Sequence, residues 1–165
     1  MHDAGCKECL CLRAAGLLPP LKVSIGSETS GWVRDVTIRN STVDGTERCV
    51  RIKSARNRGG GVRNATYEHL TGTVDEAVSL TLAYESEEPT NATATPEIHD
   101  VVVRHVGVTG TKEGQGYLDC VGLEDSVITG LVFEDVTVDG DLTQNCAYCE
   151  GVAIGATPQP CFNPR

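Results

Sequence analysis

The chain has 165 residues, a length that suits one domain with a continuous core. Its net charge of −9 lacks the basic character of nucleic-acid-binding domains, and no apolar run of about 18 residues predicts a membrane span. Aromatic residues make up only 4%, whereas glycine occurs 18 times and Val, Ile and Thr recur in short runs, which favours β-structure with many turns.

Residues 1–22 carry no repeat and no recognisable motif. Their apolar stretch, residues 10–18, is interrupted by Arg13 and preceded by the acidic Asp3 and Glu8, unlike a secretory signal peptide. We therefore expect residues 1–22 to lie outside the main domain, as a disordered or wrongly assigned segment, and the domain to span residues 23–165.

A repeat dominates the rest of the chain. Its four copies span residues 33–45, 62–72, 98–110 and 128–140, so their starts recur at similar intervals, with one longer interval between the second copy and the third. Apolar residues alternate within each copy, as in a strand with one buried face, and each copy ends in glycine. In the third copy the phase changes between Val103 and Val106, which predicts a bend there.

Further strand-like runs lie between the copies, at residues 49–53, 77–84 and 118–121. No amphipathic helical stretch separates them, which argues against a βαβ fold. Strands that recur at such regular spacing without helices predict an all-β solenoid whose coils stack on one another, with residues 86–96 as a projecting loop. A β-sandwich, which also has closely spaced short strands, is the alternative.

Several motifs follow one another in a familiar order. Residues 24–31 read SIGSETSG, Arg51-Ile52-Lys53 follows them on a later strand-like run, and GGG stands at 59–61. Tyr84 closes the next strand-like run, and a cysteine precedes the ending PQPC at residues 158–161. In these features the chain resembles glycoside hydrolase family 28, which contains the polygalacturonases and related pectinases.

The resemblance implies a fold, an activity and a setting. The fold is a right-handed, single-stranded parallel β-helix, here with about four to five coils. The activity is inverting hydrolysis of the α-1,4-galacturonan backbone of pectin, with the pectic polysaccharide as partner and no cofactor or metal. The resemblance also implies a monomeric, secreted or cell-wall protein.

The catalytic motifs of that family are missing. Inverting glycosidases use one carboxylic acid and one carboxylate on opposite sides of the bond. The family carries them in Asn-Thr-Asp and Asp-Asp motifs, neither of which occurs here, and residues 20–22 read PLK where its Gly-His-Gly belongs. We therefore assign no catalytic residue and expect the chain to be inactive. Should hydrolysis occur, its acids would be sought among Asp35, Asp119, Glu124 and Asp125.

Two explanations account for the missing motifs. The resemblance stops abruptly near Val23, which favours a truncated or misassembled gene whose upstream coils are replaced by unrelated residues. A genuine short protein that has lost catalysis is the alternative.

The candidate substrate-binding residues are Arg51, Lys53 and Tyr84. Arg51 and Lys53 are two apart on one strand and face the same way, so both can bind the carboxylate of a galacturonate unit. Tyr84 can stack on a sugar or hydrogen-bond to it. The alternatives are a solvated strand face and a tyrosine at the core edge. Arg56 and Arg58 can add positive potential nearby.

Eight cysteines and three Asn-x-Ser/Thr sequons, at Asn40, Asn64 and Asn91, favour an oxidising, secreted setting. The pairs Cys6/Cys9 and Cys146/Cys149 are too far apart for a typical shared zinc site. We expect a Cys149–Cys161 disulfide that closes the C-terminal tail, a Cys120–Cys146 disulfide as a further pairing, and a buried thiol at Cys49.

Other interpretations stay open. His69 and His105 occupy matching repeat positions and are interpreted as structural residues at a coil corner. A non-catalytic carbohydrate-binding solenoid and a structural repeat protein are alternatives to the hydrolase. Endo or exo attack, and homogalacturonan or rhamnogalacturonan or xylogalacturonan as substrate, are not distinguished.

Overall fold

The computed structural model describes residues 11–13, 24–27, 30–84, 94–110, 116–140 and 143–164, and only the backbone of 11–13. These residues contain ten strands: β1 (Cys11–Arg13), β2 (Ser24–Ile25), β3 (Trp32–Lys53), β4 (Gly61–Thr81), β5 (Glu97–Gly110), β6 (Leu118–Val121), β7 (Ile128–Asp139), β8 (Gln144–Ala147), β9 (Cys149–Ile154) and β10 (Asn163–Pro164). No helix in this described part has the length and apolar character needed to cross a lipid bilayer.

The strands stack in parallel, each on the one before it in the winding. The main ladder runs β1-β3-β4-β5-β7-β9-β10, while β6 and β8 continue a second ladder from the end of β4. Four coils begin at the starts of β3, β4, β5 and β7 within the described residues. The predicted right-handed parallel β-helix is thereby confirmed.

Residues with positive φ turn each coil at the same corner. They are Asn40 (φ 54°), His69 (φ 54°), His105 (φ 52°), Asp135 (φ 50°) and Gly155 (φ 66°). Asn and Asp tolerate this left-handed conformation better than other side chains, and glycine adopts it freely. The predicted bend between Val103 and Val106 is confirmed, and His69 and His105 stack at the corner with ring centroids 4.8 Å apart.

Columns of apolar side chains fill the interior. Ile38, Tyr67, Val103 and Phe133 occupy the same rung on successive coils, and each is at most 1% exposed. Phe162 from the C-terminal tail packs edge-on against Phe133, with centroids 5.2 Å apart. The alternation seen in the repeats therefore identified the buried face correctly.

The strands are longer than predicted. Residues 33–45 and 49–53 form one strand, β3, and residues 62–72 join most of 77–84 in β4. Backbone pairing continues through the corner, with a single register shift between Val43 and Thr46. Residues 85–93, which hold most of the predicted loop at 86–96, lie outside the described residues.

The disulfide pairing differs from the prediction, which was wrong on both bonds. Cys120 bonds to Cys149, and Cys146 bonds to Cys161. Cys120 and Cys146 are direct register partners, but the chain turns at Tyr148 and brings Cys149 into the core, only 1% exposed. Cys146 then lies beside the tail, where Cys161 N–H donates to Gln144 Oε1 at 2.8 Å.

The structure also shows the state of Cys49 and the pairing of a short N-terminal strand. Cys49 is a buried free thiol, as predicted, and burial raises its pKa to about 12. Within the N-terminal segment 1–22, Cys11–Arg13 pairs in parallel with β3. Cys6 and Cys9 lie outside the described residues.

Candidate functional site

The three candidate binding residues converge at the C-terminal end of β3. Ile52 is fully buried, so Arg51 and Lys53 on either side of it point outward. Tyr84 folds back beside them, because its N–H donates to Ser54 O at 3.0 Å and Ser54 N–H donates to Thr81 O at 2.8 Å. Tyr84 is distant from Arg51 along the sequence, but the chain completes one coil between them and so brings the two residues close in space.

The two cations face the tyrosine ring. Lys53 Nζ lies 4.2 Å from the centroid of the Tyr84 ring, and Arg51 Cζ lies 5.7 Å from it. Both distances fall within the range of cation–π attraction. Arg51 also lies 3.5 Å from a carboxylate oxygen of Glu47, while no described carboxylate forms an ion pair with Lys53. Among the described residues, the ammonium group of Lys53 thus contacts an aromatic ring and has no carboxylate partner. We call Arg51, Lys53 and Tyr84 the cationic site.

The SIGS motif supports this strand from the preceding coil. Ser24 and Ile25 pair with Arg51 and Ile52. At the next residue, Gly26, a β-carbon would stand 1.8 Å from the backbone oxygen of Lys53, and φ is +93°. Only glycine fits there, so this part of the motif has a structural reason.

A polar cleft of about 250 Å³ opens on the same sheet, close to the cationic site. It is lined by Arg48, Glu76, Gly116, Leu118, Asp119, Thr143, Gln144 and Asn145, and sequence reasoning identified none of these as binding residues. Arg48 forms ion pairs with Glu76 and Glu47, and Asn145 donates to Asp119 Oδ1 at 2.8 Å. These residues face outward on strands that pair with one another. Finding the cleft from the sequence would therefore require knowing which residues of different strands are register partners.

The carboxylates of the cleft differ in their surroundings. Burial raises the pKa of Glu76, the charge of Asp119 raises it further, and the ion pair with Arg48 partly offsets both effects. The side chain of Glu76 is only 14% exposed. Among the described residues, Asp119 contacts a neutral amide rather than a cation, so it carries the uncompensated negative charge of the cleft.

Other residues singled out in the sequence have partners elsewhere. Arg56 forms two hydrogen bonds to Asp125, at 3.0 and 2.5 Å, so its charge is balanced. The hydrogen bond to Arg56 holds the pKa of Asp125 below its usual range. Asp35 accepts from Asn64 at 2.6 Å, at a coil corner. These contacts place Asp35 and Asp125 in structural roles.

Comparison with known proteins decides the family. The model of "Glycosyl hydrolases family 28" matches residues 21–158, most of the chain. The chain belongs to this family. It is 31% identical over 137 residues to "Probable endopolygalacturonase A" of Neosartorya fischeri, covering 81% of the chain and 36% of that relative. It is 32% identical over 137 residues to "Endopolygalacturonase I" of Aspergillus niger, with the same coverage.

The chain spans only part of the length of its curated relatives. Against "Endopolygalacturonase D" of Aspergillus niger it is 33% identical over 132 residues, which are 76% of this chain and 25% of that protein. The chain thus covers between a quarter and just over a third of the length of these curated relatives. No solved structure matches it.

Proposed function

We propose that the chain is part of a polygalacturonase-type hydrolase of pectin and binds one galacturonate unit of the α-1,4-linked backbone at the cationic site. The observation that carries the proposal is the convergence of Arg51 and Lys53 over the Tyr84 ring, on the open face of the sheet. Family membership and the endopolygalacturonase relatives support the substrate class.

Each residue has a distinct role in this proposal. The guanidinium of Arg51 forms paired hydrogen bonds with a planar carboxylate, and its contact with Glu47 holds the group in place. Lys53 supplies a compact second charge. Tyr84 offers an apolar face for the sugar ring and a hydroxyl for its oxygens.

We further propose that the chain by itself binds pectin without hydrolysing it. Neither Asn-Thr-Asp nor Asp-Asp occurs in the sequence. Asp119 and Glu76 share the cleft, but Glu76 forms an ion pair with Arg48 instead of standing free to activate a water molecule. A non-catalytic carbohydrate-binding solenoid is the second candidate function, favoured by the same missing motifs.

Binding to an unesterified galacturonate oligomer, measured by calorimetry, tests the cationic site. The double variant Arg51→Ala, Lys53→Ala should lose at least about tenfold in affinity, since a hydrogen bond to a charged group contributes about 1.5–3 kcal/mol. The matched control is Arg34→Ala, Arg63→Ala, which removes two exposed cations at the other ends of β3 and β4. Equal losses of affinity in both double variants would show that only the net charge of the protein matters. That result would overturn the assignment of the cationic site.

Reducing-sugar release from polygalacturonate tests the absence of hydrolysis. We expect no release by the purified chain. Release that survives controls for host enzymes would overturn that expectation and move the search to Asp119 and Glu124, since Asp35 and Asp125 have structural partners.

The setting of the protein is also a proposal. We infer that it is secreted or bound to the cell wall, monomeric and glycosylated, with residues 23–165 as the family domain and 1–22 as a non-family segment, of which Cys11–Arg13 adds a parallel strand to β3. Two disulfides support the oxidising setting, and Asn40 and Asn64 are exposed at coil corners, accessible to a glycan. Asn91 lies outside the described residues.

A further inference from the structure

The polar cleft and the cationic site are neighbours on one sheet face. Arg51 pairs with Ser79, Ser79 with Asp119, and Asp119 with Asn145, so these four residues form one rung across β3, β4, β6 and β8. Adjacent strands lie about 4.8 Å apart, which places Asp119 about 10 Å from Arg51 along the rung. A sugar chain lying across the strands would therefore pass from one site to the other.

The two sites have opposite charge. The cationic site holds two positive groups, of which Arg51 forms an ion pair with Glu47 and also attracts Glu76 electrostatically. In the cleft, Arg48 is matched by Glu76, and Asp119 adds a negative charge that a neutral amide contacts. A carboxylate that suits the first site is repelled at the second.

The wall of the cleft is rigidly built. Gln144 donates from Nε2 to Gln159 O at 2.9 Å and accepts the N–H of Cys161 at 2.8 Å, so the C-terminal tail locks its amide. The disulfide between Cys146 and Cys161 anchors that tail to the wall strand. Asp119 is oriented by its neighbouring amide in the same way. The cleft thus presents fixed hydrogen-bonding groups, which suit the hydroxyls of a sugar.

We propose that this cleft binds an uncharged sugar unit beside the galacturonate at Arg51 and Lys53, and that Asp119 excludes a second free carboxylate. The inference rests on the proposed function and specifies its substrate: a galacturonan in which a charged unit lies next to an uncharged one. A methyl-esterified galacturonate and a neutral sugar such as rhamnose share the required chemistry.

Short oligomers of equal length distinguish the possibilities. The probes are an unesterified galacturonate trimer, a partially methyl-esterified trimer, and an oligomer that alternates rhamnose with galacturonate. For the wild type we expect one of the two partly uncharged probes to bind roughly threefold to tenfold more tightly than the unesterified trimer, because a screened like-charge contact is removed. The probe that shows the preference identifies the uncharged unit.

Variants at one position isolate the charge. Asp119→Asn should abolish the preference by improving binding of the unesterified trimer, whereas Asp119→Glu should retain it. Asp139→Asn makes the same charge change at an exposed position outside the cleft lining and should leave the ratio unchanged. The wild-type preference should also shrink as salt concentration rises, a readout that needs no variant.

The outcomes separate this inference from the function on which it rests. If the unesterified trimer binds as tightly as the others, or Asp119→Asn leaves the ratio unchanged, the cleft inference is wrong while the cationic site stands. If no oligomer binds at all, both are wrong. A preference lost only in Asp119→Asn supports both.

Discussion

Replacing Cys161 with serine tests both the disulfide pairing and its contribution to stability. The bond joins β8 to the C-terminal tail, with a sequence separation of 15. In the chain-entropy description, a loop of that length stabilises the fold by about 3 kcal/mol, because the cross-link restricts the unfolded chain. The Cys120–Cys149 bond, with a separation of 29, should contribute about 3.6 kcal/mol by the same relation.

Urea unfolding followed by circular dichroism measures the change. Cys161→Ser and Cys146→Ser break the same bond, so each should lower the free energy of unfolding by about 3 kcal/mol. Cys149→Ser should cost more, because it breaks the longer loop and leaves a polar atom in a position only 1% exposed.

Thiol labelling of each variant after unfolding without reductant, followed by peptide mapping, identifies the cysteine that the variant releases, including the buried Cys120 and Cys149. Cys161→Ser should expose Cys146 to the label, and Cys149→Ser should free Cys120. Release of Cys149 in the Cys161→Ser variant would refute the pairing and restore the one predicted from the sequence. Cys49 is buried and should stay unlabelled in the native protein of every variant.

Two other perturbations probe the sheet that carries the sites. Gly26→Ala should destabilise the protein by about 2 kcal/mol and weaken galacturonate binding, since its β-carbon would overlap the backbone of Lys53, whereas Gly107→Ala, with open space around it, should be tolerated. Unchanged urea midpoints for Gly26→Ala would contradict this packing. The raised pKa of Glu76 predicts that its stabilising contribution is complete below about pH 4.5 and is lost as pH rises through the raised value. Relative to Glu76→Gln, the wild type should gain stability as pH falls, and a difference that is independent of pH would contradict the role of burial.

The fold could be predicted because its determinants repeat along the chain. Alternating Val101, Val103, Val106 and Val108 mark one buried face, and all four are at most 4% exposed. The corner was visible as a phase change, since a left-handed residue such as His105 reverses the alternation. Regular spacing then implied stacked coils. These are local signals, and a solenoid depends mostly on contacts between neighbouring repeats.

The disulfides could not be predicted in the same way. Cys120 and Cys146 are register partners in the structure, yet a ladder position does not decide which way the chain turns next. The corner at Tyr148 brings Cys149 inward to Cys120 and leaves Cys146 to the tail. Pairing therefore depends on three-dimensional turns that spacing alone does not record.

The candidate site was predicted only in part, for a related reason. Arg51 and Lys53 lie two apart, so their common direction follows from the period of a strand. The approach of Tyr84 and the neighbouring cleft with Asp119 depend on which residues of different coils share a rung. Family resemblance supplied Tyr84, whereas nothing in the motif pointed to the cleft.

A single irregularity sets that register. Between Val43 and Thr46, β3 uses one residue more than β4, whose Gly72 and Val74 are the partners. Gly45 in this bulge has φ of 57°, and its N–H donates to the hydroxyl oxygen of a threonine on β4 at 2.9 Å. Side chains alternate with period two, so without the extra residue the strand beyond the bulge would turn its buried face outward and bury its two cations.

The bulge therefore links the repeat to the chemistry. Before it, Val33 pairs with Val62, and after it Arg51 pairs with Ser79, so the sequence offset between paired residues falls by one across the bulge. The larger offset keeps the apolar columns before the bulge aligned from coil to coil. The smaller one brings the outward face of β3 into step with Ser79 and, through it, with Asp119. The same extra residue thus aligns the cationic site with the polar cleft. A polysaccharide that contacts both sites depends on this alignment.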